Sequence, residues 1–184
     1  ESIQSSYSYP DGKPAAFETV KVVAGKVQEY TLDQKQVNES GKLEVKDGKI
    51  NFSYTKKGET DTDSEDLTDN LVVGPTLVPY MHKNWGTFLK GDKLKIRFAV
   101  LDRKETVGFD LRKVGEETIL GKKVFVIKME PTSFVIAMLV KPMTFKITDD
   151  GKDLMERLGR TVPKLEKNGK WEDLDVETIY TEAK

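Results

Sequence analysis

Apolar residues in this 184-residue chain are gathered into short blocks separated by polar turns. The densest region is 121–147, where three apolar runs are cut by Glu130-Pro131-Thr132 and Lys141-Pro142. Around 124–129 and 134–140 apolar residues fall on both alternating positions, which predicts two central strands covered on both faces. Elsewhere the alternation is clean. Leu94, Ile96, Phe98 and Val100 oppose Lys95 and Arg97; Val107, Phe109 and Leu111 oppose Asp110 and Arg112; Met143, Phe145 and Ile147 oppose Thr144 and Lys146. These are strands with one wet face.

Glycine-containing turn signals recur at Asp11-Gly12, Ser40-Gly41, Asp47-Gly48, Lys57-Gly58, Lys90-Gly91, Val114-Gly115, Asp150-Gly151 and Asn168-Gly169. Asp-Gly and Asn-Gly supply the positive φ that two-residue hairpin turns need, so many short antiparallel strands are expected. In the first half these are 17–23, 27–36, 42–45 and 49–54, with thinner apolar content, and the acidic segment 61–66 reads as an exposed loop. Residues 171–180 read as a closing strand, and 153–158 fits either a short helix or a strand.

One segment breaks the β pattern. Leu77, Val78, Met81, Trp85, Phe88 and Leu89 recur at three- and four-residue spacing, Gly91 is placed as a C-terminal cap, and Pro79 suits only a first turn. An amphipathic helix over 76–90 follows. The fold expected is mainly β: a single curved antiparallel sheet or open half-barrel, with this helix packed in or across its concave face, all in one domain over 1–184.

Charge narrows the function by exclusion. The 30 basic and 31 acidic residues are interspersed and leave a net charge of −1, so no footprint for nucleic acid or anionic lipid is present. No apolar run approaches the ~18 residues a membrane helix needs. Without cysteine and with His82 as the sole histidine, thiolate and histidine metal sites and cysteine nucleophiles are excluded. His82 sits among core-type residues and no Gly-x-Ser-x-Gly elbow accompanies it. Residues 61–66 space carboxylates like a calcium loop, but lack the glycine at its sixth position and carry Val72 at its twelfth. Glu130, flanked by apolar strands, is the one acid whose pKa burial is expected to raise. No catalytic residue, metal or cofactor is assigned.

The motifs Asn70-Leu71-Val72-Val73-Gly74-Pro75-Thr76, Asn84-Trp85, residues Met129-Glu130-Pro131-Thr132-Ser133-Phe134, Val140-Lys141-Pro142-Met143 and Leu158-Gly159-Arg160 resemble a group of uncharacterised, exported bacterial β-rich proteins. More distantly, such proteins look like the outer-membrane lipoprotein carrier LolA and its relatives. That resemblance implies an unclosed, strongly curved sheet wrapping helices, a cavity for acyl chains, and a periplasmic or envelope location. It carries over no individual residue.

The expected role is a non-enzymatic exported protein, its signal peptide removed, that binds a lipid or other apolar ligand in the concavity. Met81, Trp85 and Phe88 on the helix and Met129, Phe134, Ile136 and Met138 on the central strands are its candidate lining, methionine supplying adaptable apolar surface. The alternatives are an envelope interaction module contacting a protein or glycan, and a hydrolase using Glu130, Asp102 or His82.

Overall fold

The computed structural model describes residues 1–138 and 140–181. The protein is mainly β, with 63% of residues in strands, and its strands form two sheets, one curled strongly into a half-barrel. The first sheet is a six-stranded meander: β1 (Ser2–Ser8), β2 (Pro14–Val23), β3 (Lys26–Gln34), β4 (Glu39–Lys46), β5 (Lys49–Lys56) and β6 (Glu59–Asp66). The second runs in the order β13-β12-β11-β10-β9-β8-β7: β7 (Leu71–Val72), β8 (Leu94–Val100), β9 (Glu105–Ile119), β10 (Lys122–Pro131), β11 (Met143–Thr148), β12 (Leu154–Lys167) and β13 (Lys170–Ile179). Its β7–β8 pair is parallel. Among the described residues the strands are joined by the α-helices α1 (Leu77–Lys83), α2 (Trp85–Leu89) and α3 (Phe134–Ala137), with 3-10 turns at Gly74–Thr76 and Leu101–Arg103.

Tight turns set the registers. Ala24-Gly25, Asp47-Gly48, Lys57-Gly58, Leu120-Gly121 and Asn168-Gly169 each join two strands with positive φ at both positions, the backbone twist that keeps paired strands from splaying.

By its contacts the chain divides into two compact units: residues 1–77, 97–107 and 162–173 form one, and 78–96, 108–161 and 174–184 the other. The first unit is built on the meander, whose inward residues Val20, Tyr30, Leu43, Ile50 and Phe52 form its core with Ala99 and Leu101. Gly41 lies in β4, where a Cβ would meet Leu101 and Tyr54 at 2.9 Å. Within this core Glu18 is only 2% exposed. It accepts hydrogen bonds from the Tyr30 hydroxyl at 2.6 Å and the Tyr7 hydroxyl at 2.8 Å. A Cβ on Gly74 would approach Glu18 Oε1 to 2.8 Å, so this glycine lets the 3-10 turn Gly74–Thr76 pass close to the carboxylate. Beyond Leu158, where its pairing with β11 ends, β12 is held by side chains. Gln34 Nε2 donates to Val162 O, and Gln36 exchanges two bonds with Lys164 N and O at 2.8 and 3.0 Å, its amide standing in for a strand.

In the second unit β10 is a central strand between β9 and β11, as expected, with Val124, Phe125, Ile127 and Met129 buried; Val126 and Lys128 between them are only half-buried, so one of its faces is covered more fully than the other. β13 is the closing strand.

Several expectations are corrected. The acidic 61–66 loop is the edge strand β6, where each of Asp61 and Asp63 accepts the backbone N–H of the following residue. Residues 134–140 do not form a central strand: Phe134–Ala137 is the exposed helix α3, and Leu139 lies outside the described residues. Ser40-Gly41 and Val114-Gly115 are not turns; the second is a bulge in β9, where Val126 pairs with Gly115 but Ile127 with Lys113. In β8 the buried face shifts from Leu94 and Ile96 to Ala99, so Phe98 and Val100 are only half-buried. Of residues 153–158, Asp153 precedes strand β12 and 154–158 belong to it.

A Tyr30→Phe substitution removes the shorter of the two tyrosine bonds to Glu18 and so weakens the hydrogen bonding of a buried carboxylate. A loss of about 1–3 kcal/mol in urea unfolding is expected, with the slope unchanged.

Candidate functional site

The seven candidate lining residues all lie in the second unit, where the structure sorts them into two groups. The first is on the helices and β10. Asn84 interrupts the expected 76–90 helix: its Nδ2 donates to Tyr80 O at 2.8 Å and its backbone leaves the helical region, so α1 ends and α2 starts afresh. Gly91, at φ +76, then terminates α2 by donating to Phe88 O at 3.1 Å. This arrangement turns Met81, Trp85 and Phe88 inward together, and all three are buried, as is Met129 on β10.

Trp85 is fixed from several sides. Its ring stacks on Phe125 of β10 at 5.5 Å and meets Phe88 edge-on at 5.4 Å, while Nε1 donates to Asp149 O at 3.1 Å. Lys113 Nζ lies 3.5 Å from the centroid of the Phe125 ring. The β11–β12 turn closes over the indole: a Cβ on Gly151 would sit 2.6 Å from Trp85 Cγ, and its φ of +76 favours glycine independently. The helical part of the candidate lining is thus packed interior.

The second group is on α3. Pro131 ends β10, Thr132 N and Oγ1 both donate to Gly108 O, and Ser133 caps the helix by accepting from Ile136 N. One helical turn before Pro142 leaves no room for both faces to be covered. Phe134 is 79% exposed, Val135 60% and Met138 65%, whereas Ile136 is half-buried. Sequence reasoning named Phe134 and Met138 but placed them in a sheet interior, and it missed Val135.

Beside α3 lies a cleft of about 380 Å³ lined by Lys93, Asp110, Arg112, Glu130, Ala137 and Val140, among others. Its charges are paired: Lys93 with Asp110 at 3.2 Å, and Glu130 with Arg112 at 2.9 Å and Lys128 at 2.8 Å. The Lys128 and Arg112 hydrogen bonds hold the Glu130 carboxyl below its ordinary pKa, the opposite of the expected rise. A carboxylate poised to give up a proton near neutrality is not formed here. Asp102 lies in the 3-10 turn Leu101–Arg103 of the first unit. His82, on α1, has its Nε2 buried without a hydrogen-bond partner among the described residues, and burial pushes its pKa down against the opposing pull of Asp153. No group of three or more metal-ligating side chains occurs among the described residues.

Compared with known protein families, curated proteins and solved structures, the chain matches none.

Two outcomes are expected. Gly151→Ala strains the backbone and drives a methyl into Trp85, lowering stability by more than about 1 kcal/mol in denaturant unfolding and disturbing the near-ultraviolet Trp signal. His82, its pKa lower folded than unfolded, leaves stability intact above its ordinary value of about 6.5 and erodes it as pH falls toward the folded value. Between about pH 7 and 5 the wild type should therefore lose more stability than His82→Asn, read as the difference between their unfolding midpoints.

Proposed function

We propose that this is a non-enzymatic binding protein that engages a lipid surface or acyl chains through α3. The observation behind this reading is the outward-facing set Phe134, Val135 and Met138 at the β10–β11 connection. The apolar residues expected to line a concavity on the helix side, Met81, Trp85, Phe88 and Met129, are buried, which favours α3 over the interior as the binding surface.

Magnitudes fix the character of the binding. Fully burying side chains of this kind is worth about 1.5–3 kcal/mol each, so three partly inserted residues give reversible attachment, comparable to one acyl anchor. The basic residues nearby are paired with carboxylates, Lys141 with Asp175 at 3.4 Å included, so anionic lipid adds little. No described helix is long and apolar enough to cross a membrane. The reading retains the expectation of an exported, envelope-associated protein and departs from it in the binding surface.

Flotation with neutral phosphatidylcholine vesicles tests it. The wild-type chain should float with the vesicles about equally in low and high salt, and Phe134→Asp/Met138→Asp should remain in the soluble fraction with unchanged circular dichroism. A wild-type chain that stays soluble, or a double variant that floats equally well, rejects the reading; loss of floating on adding salt would instead assign attachment to charge.

A further inference from the structure

Sheet edges are open rows of backbone donors and acceptors, and folded proteins protect them with charge, brevity or cover. Three of the four edges here are protected. β6 carries five carboxylates in eight residues, and its outward N–H groups at Thr62 and Ser64 are already bound by Asp61 and Asp63 at 2.9 and 2.7 Å. β13 carries Lys170, Glu172, Asp173, Asp175 and Glu177, and β7 is two buried residues. The remaining edge, β1, reads Ser-Ile-Gln-Ser-Ser-Tyr-Ser: seven residues without a charge or a proline.

The register shows which groups β1 leaves free. Glu1 N donates to Val22 O and accepts in return at Glu1 O from Val22 N, so Glu1 and Val22 are a doubly bonded pair. Antiparallel pairing alternates, which makes Ile3 with Val20 and Ser5 with Glu18 the next such pairs. The N–H and C=O groups of Ser2, Gln4 and Ser6 therefore point away from β2, and all three residues are exposed.

We propose that this edge pairs with the same edge of a second copy, antiparallel about a two-fold axis at Ser5. In that register Gln4 and Ser6 of opposite copies exchange backbone hydrogen bonds through the groups left free. Ile3 of one copy then faces Tyr7 of the other in a non-hydrogen-bonded pair, where side chains approach most closely and β-branched and aromatic residues pair well. Ser5 meets its own equivalent. No like charges oppose each other, whereas β6 would set carboxylate against carboxylate. The self-complementary order of residues is what an isologous contact requires and what favours a second copy over a foreign strand. This inference stands apart from the role given to α3.

Sedimentation of the full chain over a concentration series tests it. The wild type should form a dimer, with two variants weakening it at least about tenfold: Gln4→Pro, which removes a donor that β2 does not use, and Gln4→Lys/Ser6→Lys, which sets like charges opposite each other. Circular dichroism should be unchanged in the lysine pair, so loss of dimer there is not loss of fold. A wild type that is monomeric up to about 1 mM overturns the proposal, and so does a dimer untouched by both variants, which would place the contact elsewhere.

Discussion

Trp85 is the side chain on which the second unit's organisation turns. Its ring is stacked on Phe125, its Nε1 is bound to Asp149 O, and Gly151 closes over it. One residue thereby ties α2 to the central strand and to the β11–β12 turn. A Trp buried with its donor satisfied contributes both area and direction, because the hydrogen bond fixes which way the ring lies. With that space filled, α3 is the one described helix that turns three neighbouring large apolar side chains outward together, Phe134, Val135 and Met138.

The first unit is ordered by a polar constraint. Glu18 is buried on β2, where an unmet carboxylate would cost several kcal/mol. Tyr7 and Tyr30 approach it from the strands on either side, and Gly74 makes room for it beneath the 3-10 turn. Two neighbouring strands and a turn are thus committed to one register, since a one-residue slip would carry the tyrosines to the opposite face. The glutamine side chains that hold β12 have a similar effect at the other end of β3: backbone groups that pass beyond a neighbouring strand still find partners.

How much of this was legible depends on which force wrote each segment. Strands with one apolar face, such as Val107, Phe109 and Leu111, carried their pattern in the sequence, and so did the central place of β10, although only one of its faces is fully buried. The Asp47-Gly48 and Asn168-Gly169 turns announced themselves through their residue types. β6 was hidden because its stability comes from pairing with β5 and from carboxylates capping its own amides, with no apolar residue to show periodicity. The Lys57-Gly58 turn that creates it was visible, but a turn signal followed by an acidic run looks like a loop. β8 was misread in phase because its two ends serve different cores. At α3 a short apolar run between prolines is compatible with strand or helix; Ser133 as a cap was the local signal that decides for helix. Candidate residues on α1, α2 and β10 were recognised as apolar and convergent, but the sequence could not separate a filled core from a lined cavity, because both need the same residue types.

The placement of charge completes the argument about where binding resides. Exposed ion pairs, such as those beside α3, contribute about 0–1 kcal/mol each and are screened by salt. Glu130 spends its charge on Lys128 and Arg112, and Asp110 on Lys93, so the cleft beside α3 presents nearly balanced charge to an incoming ligand. A charged ligand would have to displace a pair already formed, and gains little net energy from doing so. An apolar partner at Phe134, Val135 and Met138 displaces only water from side chains that are mostly exposed, and the gain scales with the area removed from water. The same logic explains why the exposed set is small: three residues on a single helical turn allow attachment that reverses, whereas a wider apolar face would associate without selectivity.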